Sequence, residues 1–345
     1  MDSSIRTASR GRLAAVGGVA LVLALVAGAC GSSPSSTSTP TTTAPAATAP
    51  STTAAPSTQQ TTTTTTAKSA YPMTVKSTAG TAVIKARPTR IVSLSATATE
   101  DLFAIGAGPQ VKAVDSYSDY PANAPRTRID ALDPNLEAVV NYKPDLVIVS
   151  DGPARFNAQL AKLHIPVVNE PAVANLTQAY GQLEQLGKLT GHLASADKVV
   201  ADMKEKVHRL VGEVKKQNPP LTYYYELSTA PYYTVTSDTF VGSVFSLLGL
   251  HDIADQAGVH AAGGYPQISS ESIVAARPDL IFLADTGNQG GQTPATVKKR
   301  PGWSQVPAVK TGDILALNPD IASRWSPRIV ILMQDVVREV QKAER

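Results

Sequence analysis

The sequence predicts an α/β protein of two similar lobes with mostly parallel sheets, joined by one long rigid helix, with a ligand cleft between the lobes. Three observations predict it. Strands alternate with helices along most of the chain, one segment occurs twice, and an unbroken helical stripe separates the two halves. The repeat begins Asn135-Leu136-Glu137-Ala138-Val139-Val140 and closes on Lys143-Pro144-Asp145-Leu146. It returns 134 residues later as Ser269-Ser270-Glu271-Ser272-Ile273-Val274, closing on Arg277-Pro278-Asp279-Leu280, with six of nineteen positions from 135 to 153 identical. A period this long argues for paired lobes, because solenoid repeats run to only about 20–50 residues. A cleft between lobes is where a small ligand usually sits.

The elements follow in order. Ile91 to Leu94 is a buried-strand pattern, and a helical run from Thr99 to Ile105 is stopped by Gly106. Val111 to Val114 is the next strand, and Leu136 to Tyr142 a short helix ended by Pro144. Leu146 to Val149, Phe156 to Leu163 and Ile165 to Val168 then read strand, helix, strand. The second half repeats the scheme: a Tyr-rich strand from Leu221 to Glu226, helices at Val241 to Leu248 and Ser272 to Ala276, and strands at Leu280 to Leu283 and Ile314 to Leu317. A helix from Ser326 to Lys342 closes the chain. Alternating strands and helices build parallel, Rossmann-like units. Between the halves, Leu176 to Leu189 is helical and Gly191 breaks it. Ser195 to Gln217 then holds no proline, with apolar residues at Val199, Val200, Met203, Val207, Leu210, Val211 and Val214. Those positions share one helical face, and at ~1.5 Å per residue the helix spans roughly 33 Å. Such a stiff connector should let the lobes move little. The expected boundaries are 73–175 for the first lobe, 176–217 for the linker and 218–345 for the second lobe.

What precedes the lobes is a leader and a tether. Arg6, Arg10 and Arg12 form a basic stretch before an apolar run from Leu13 to Ala29. A spanning helix needs ~20 apolar residues, so residues 1–30 read as a removable signal peptide. The run ends at Val26-Ala27-Gly28-Ala29-Cys30, on the only cysteine of the 345 residues. This site resembles a bacterial lipobox, which implies that Cys30 is lipidated and holds the mature chain on the extracytoplasmic face of the cell membrane. The usual pattern has Leu where Ala27 stands. Residues 31–72 are rich in Ser, Thr, Pro and Ala and too poor in apolar surface to fold. They form a disordered tether with a reach on the order of 35 Å. The formal charge of +3 is small and scattered, so nucleic acid is not an expected partner.

Taken together, residues 88 to 342 resemble the helix-linked (class III) substrate-binding proteins of ABC transporters, which deliver vitamin B12, ferric siderophores and haem, and most of all the vitamin B12 branch. Three strings carry the likeness: Ser116-Tyr117-Ser118-Asp119-Tyr120-Pro121, Tyr265-Pro266-Gln267-Ile268-Ser269, and the run from Pro319 through Asp320, Arg324 and Trp325 to Arg328. The resemblance implies that Glu137 and Glu271 each form a salt bridge to an arginine on one subunit of a two-fold permease dimer, which an ATPase drives. The residues alone agree, since a pseudo-symmetric protein meeting a symmetric dimer needs the same charge twice. The plainer alternative is an acidic residue in a helix's first turn complementing the dipole, with Asn135 and Ser269 or Ser270 as caps.

Tyr117 and Tyr120 follow a strand's carboxyl end, where open α/β sheets place ligands. A tyrosine offers a flat apolar face and a hydroxyl to a large ring edged with amides. Tyr232, Tyr233 and Tyr265 are the candidates for the opposite wall, while Tyr223 to Tyr225 pack within their strand. Asp320 and Arg324 suit the amide or phosphate groups of a corrinoid, and Trp325 completes the expected contacts; the alternative is an internal Asp320–Arg324 ion pair. The likeness departs at two places where vitamin B12 proteins carry tryptophans: here stand Ala131-Leu132-Asp133 and Ser150-Asp151-Gly152. A siderophore or another tetrapyrrole therefore stays open as cargo.

No enzyme is expected: no Gly-x-Ser-x-Gly elbow or phosphate-binding glycine loop is visible. The histidines at 164, 192, 208, 251 and 260 lack metal-ligand spacing, although His251 and His260 remain possible ligands to a cargo's iron or cobalt. The expected partners are the permease with its ATPase and one large metal chelate, with no resident cofactor or metal and the chain acting as a monomer. A surface lipoprotein binding glycan or protein, without transport, is the alternative from another class.

Overall fold

The computed structural model describes residues 70–344 except 216, 257, 259–261 and 288–290. The expected signal segment, Cys30, the expected tether as far as residue 69 and His260 lie outside the described residues. An antiparallel hairpin, β1 (Met73–Ser77) and β2 (Gly80–Ile84), opens the chain. The first lobe then runs β3 (Ile91–Leu94), α1 (Ala96–Ala104), β4 (Val111–Val114), α2 (Leu136–Val140), β5 (Leu146–Val149), α3 (Ala154–Lys162) and β6 (Val167–Asn169). Its sheet has the order β4-β3-β5-β6 with every pair parallel. β3 and β5 are buried at every position, as parallel strands covered on both faces must be.

The linker is α4 (Leu176–Thr190) and α5 (Leu193–Glu213), turned at Gly191 with φ 74°. That left-handed conformation suits glycine and ends the first helix where the sequence indicates. The helices pack closely: a Cβ added at Gly187 would lie 2.5 Å from that of Ala196. Val200, Met203 and Leu210 of α5 are buried, with Val199, Val207, Val211 and Val214 packed beside them.

The second lobe comprises β7 (Thr222–Glu226), β8 (Ser228–Thr229), β9 (Tyr232–Tyr233), α6 (Phe240–Leu247), β10 (His251–Asp252), α7 (Ile253–Gln256), α8 (Ser270–Ala276), β11 (Leu280–Leu283), α9 (Pro294–Lys298), α10 (Pro307–Thr311), β12 (Ile314–Ala316), α11 (Pro319–Ala322) and α12 (Ile329–Ala343). Its parallel sheet has the order β10-β7-β11-β12. One apolar cluster runs from Ile91 and Leu146 through Leu183, Met203 and Leu210 to Tyr223, Phe245 and Phe282, so the linker shares its core with both sheets.

The repeat has a physical basis. Asn135 caps α2 by accepting from the Ala138 amide at 2.9 Å, and Ser269 caps α8 by accepting from the Ser272 amide at 3.1 Å. Lys143 and Arg277 then turn left-handed at φ 49° and 52°, a conformation that costs a side-chain-bearing residue ~1 kcal/mol or more. The aspartate of each Pro-Asp-Leu ties its strand to the head of the neighbouring one. Asp145 accepts from the amides of Thr89 at 2.8 Å and Arg90 at 2.9 Å, and Asp279 from the Thr222 amide at 2.9 Å.

Candidate functional site

A cleft of about 310 Å³ opens at the carboxyl end of the second sheet and is bordered by Ala172 and Val173, shortly after β6 of the first; its walls include Val173, Tyr225, Phe240, Tyr265, Asp320 and Trp325. Each reaches it through local sequence. Tyr225 alternates with Tyr224 along β7, so the two side chains face opposite sides of the sheet; Tyr225 joins the shared core and Tyr224 the cluster around Trp303. Thr239 caps α6 and so places Phe240 at the helix start. Asn318 caps α11, accepting from the amides of Asp320 at 3.0 Å and Ile321 at 3.2 Å. Trp325 packs its ring 6.5 Å from that of Phe240 and donates its indole N–H to Gln182 Oε1 at 2.6 Å. The result is an apolar floor with one carboxylate, Asp320, and two phenols, Tyr225 and Tyr265, groups that can hold a ligand's ring edge and an amide.

Arg324 is 7% exposed and spans the lobes. Its guanidinium donates to Glu100 at 2.8 Å, Asp119 at 2.7 Å, Asp320 at 2.8 Å and the Tyr117 carbonyl at 2.9 Å. Burial opposes its charge, but the carboxylates of Glu100 and Asp119 more than offset this and raise its pKa. Arg328 donates to Glu100 through Nε at 2.8 Å, and the Ser326 hydroxyl donates to the same carboxylate. The internal pair Asp320–Arg324 thus forms within a larger network. Asp115 shapes the loop that feeds it, accepting from the Tyr117 amide at 2.7 Å and the Ser118 amide at 3.1 Å.

Of the expected ligand contacts, Tyr265, Asp320 and Trp325 meet in the cleft, while Arg324 lies behind Asp320. The Tyr117 ring is exposed. Tyr120 lies under Arg328, with the guanidinium carbon 4.1 Å from the ring centre, and lines a different cavity. Tyr232 packs 5.9 Å from Trp303 and beneath Arg300. Tyr233, on the β8–β9 hairpin, bridges to Gln267 near Tyr265. Glu137 and Glu271 are exposed and occupy the same helical position, two residues past the cap, on α2 and α8. Neither carboxylate has an ion-pair partner among the described residues. His251 is exposed at the edge of the second sheet, in β10.

The sequence left two features unseen. Val173 and Phe240 help line the cleft with no motif to mark them. In the second lobe, Glu226 is fully buried and takes a two-pronged ion pair from Arg300 at 2.6 and 2.7 Å. Burial, and then the Glu226 carboxylate, push the neighbouring Asp285 up to about 6.

Comparison with known proteins accords with this geometry. A vitamin B12-binding protein of Vibrio cholerae is 28% identical over 252 residues, covering 72% of this chain and 87% of that one. An uncharacterized ABC transporter substrate-binding lipoprotein of Bacillus subtilis, YvrC, is 27% identical over 251 residues, covering 70% of this chain and 76% of that one. The crystal structure of the periplasmic vitamin B12-binding protein BtuF of Vibrio cholerae aligns with a TM-score of 0.63 at 26% identity, covering 75% of this chain and 99% of that one. A possible iron-binding, periplasmic solute-binding protein of Staphylococcus epidermidis aligns at 0.65, also at 26% identity, covering 74% and 99%. The family model for periplasmic binding proteins matches residues 91–321, more than half of the chain. The two parallel sheets, the cleft at the carboxyl end of the second and this match agree: the chain belongs to the periplasmic binding protein family.

Proposed function

We propose that the chain is the lipid-anchored, extracytoplasmic substrate-binding protein of an ABC importer, and that it captures vitamin B12 or a related corrinoid and delivers it to the membrane permease. The observation that carries this reading is the matched pair Glu137 and Glu271. Both are exposed and unpaired among the described residues, and both sit at one helical position in two copies of one motif. First-turn carboxylates complement the helix dipole, but that alone does not call for matched acids on both lobes. Docking on the two subunits of a permease dimer does. Cys30 anchors the mature chain, which acts as a monomer.

The cleft, at about 310 Å³, stands at the lower end of the ~300–1,000 Å³ typical of ligand pockets. It grips one edge of a large chelate, with Tyr265 and Trp325 against the ring and Asp320 accepting from a side-chain amide. Tyr117 and Tyr233 extend the walls, and Arg324 holds Asp320 and the Tyr117 loop in place. The second reading, a ferric siderophore or haem as cargo, is favoured by one observation. Ala131-Leu132-Asp133 and Ser150-Asp151-Gly152 stand where vitamin B12 proteins carry tryptophans, which removes stacking surface from the first lobe. Calorimetric titration of the purified chain with cyanocobalamin, ferric siderophores and haemin tests this. Saturable one-to-one binding of cyanocobalamin in the submicromolar range supports the corrinoid reading. Binding of only an iron chelate moves the cargo to the second, and binding of neither overturns both.

A further inference from the structure

A second cavity between the lobes, of about 530 Å³, lies beyond the Arg324 network from the cleft. Phe103 and Tyr120 come from the first lobe, Lys206 from the linker helix α5, and Arg328, Val330 and Ile331 from the start of α12. The apolar side chains give it an amphipathic character, and Ile331 is 43% exposed there, with Tyr120 at 47%. The charges at its wall are unequal. Lys206 has no ion-pair partner among the described residues. Arg328 commits Nε and Nη2 to Glu100, which leaves its Nη1 edge without a protein acceptor among the described residues. Tyr120 supports that guanidinium from one face at 4.1 Å, a stacking that fixes its plane. The first turn of α12 carries no acidic residue, and the one carboxylate on the wall, Glu100, is already shared by Arg324 and Arg328.

We propose that this groove is a second ligand site, taking a small amphipathic anion with an aromatic body and a carboxylate or sulfonate head. The body lies on Phe103, Tyr120 and Ile331, and the head lies between Lys206 and the free edge of Arg328. The site is separate from the cargo cleft, and its existence does not depend on which chelate that cleft holds.

The test is a fluorescence titration of the purified full chain with 8-anilinonaphthalene-1-sulfonate, an aromatic sulfonate. Wild type gives one saturable site. Lys206→Glu and Ile331→Asp, both at exposed helical positions, each weaken it about tenfold or more, since each sets a carboxylate against the sulfonate. Far-UV circular dichroism confirms that both variants fold. Leu247→Asp, at an exposed apolar position in a different cavity beside His251 and Val340, leaves the titration unchanged. Unaltered affinity in Lys206→Glu and Ile331→Asp, or loss in Leu247→Asp, overturns the proposal. Saturation of the cargo cleft with cyanocobalamin leaves the probe's site available; displacement of the probe would show that it had reported the cleft.

Discussion

Arg324 and Glu100 stand 2.8 Å apart across 224 residues of sequence and join the two lobes through a buried ion pair. Glu100 is 3% exposed and accepts from Arg324, Arg328 and Ser326. Its replacement by glutamine keeps the shape but leaves two guanidinium groups short of a counter-charge. Breaking one partner of a buried pair typically costs ~3–5 kcal/mol. Glu100→Gln should therefore lower the urea midpoint markedly, with Arg324→Met doing the same. A midpoint within error of wild type would show that the network does not hold the lobes.

Stability should fall as pH rises through neutrality. Burial pushes Glu170 up to about 7, with the Gln185 amide at 2.8 Å only partly offsetting it. A carboxyl whose folded pKa lies above its unfolded value binds its proton more tightly in the native state. Its contribution is thus full below the unfolded pKa and is lost as pH passes the folded one. For Glu170 this amounts to on the order of 3–4 kcal/mol. Asp252, raised to about 7 mainly by burial, and Asp285 slope the same way. Glu170→Gln should flatten the unfolding free energy measured from pH 5 to 8 without abolishing the slope, and an unchanged profile would remove Glu170 from the account.

In the cleft, Tyr265→Ala should weaken cargo binding about tenfold through lost ring contact, while leaving thermal unfolding nearly unchanged because the ring is half exposed. Trp325→Phe should cost about 1 kcal/mol of stability through the lost bond to Gln182. Calorimetry and scanning calorimetry separate the two effects; equal cargo affinity in wild type and Tyr265→Ala would move the cargo elsewhere.

Gly187→Ala tests the linker. The added methyl would meet Ala196 at 2.5 Å, and overpacking of this kind costs typically 1–3 kcal/mol. Guanidinium unfolding reads that loss. Retained stability would mean that α4 and α5 can part without cost.

Much of the fold was legible because its signals are local. Buried parallel strands such as Leu146–Val149 are continuous apolar runs, and Gly191 marks the linker turn by its left-handed φ. The helix limits moved by two to four residues at some ends. Ser95 caps α1 and starts it at Ala96 rather than Thr99, and α12 starts at Ile329 rather than Ser326, whose hydroxyl is spent on Glu100. The β1–β2 hairpin was not anticipated, although Met73 and Val75 alternate with polar residues and Ala82, Val83 and Ile84 form a short apolar run. Within the site, the matched glutamates could be read from the repeat. Glu100 could not, because a helical glutamate gives no sign of an arginine 224 residues away. Tyr120 and Tyr117 belong to one motif, yet the turn between them sends Tyr120 towards Arg328, which no spacing rule reveals.

The most direct test of the account is uptake of radiolabelled cyanocobalamin by cells carrying this chain with its permease and ATPase, compared with cells carrying Glu137→Lys together with Glu271→Lys. The account predicts that uptake is lost while the purified double variant binds cargo as wild type does. Uptake at the wild-type rate would contradict docking through the two glutamates, and with it the central reading of this chain.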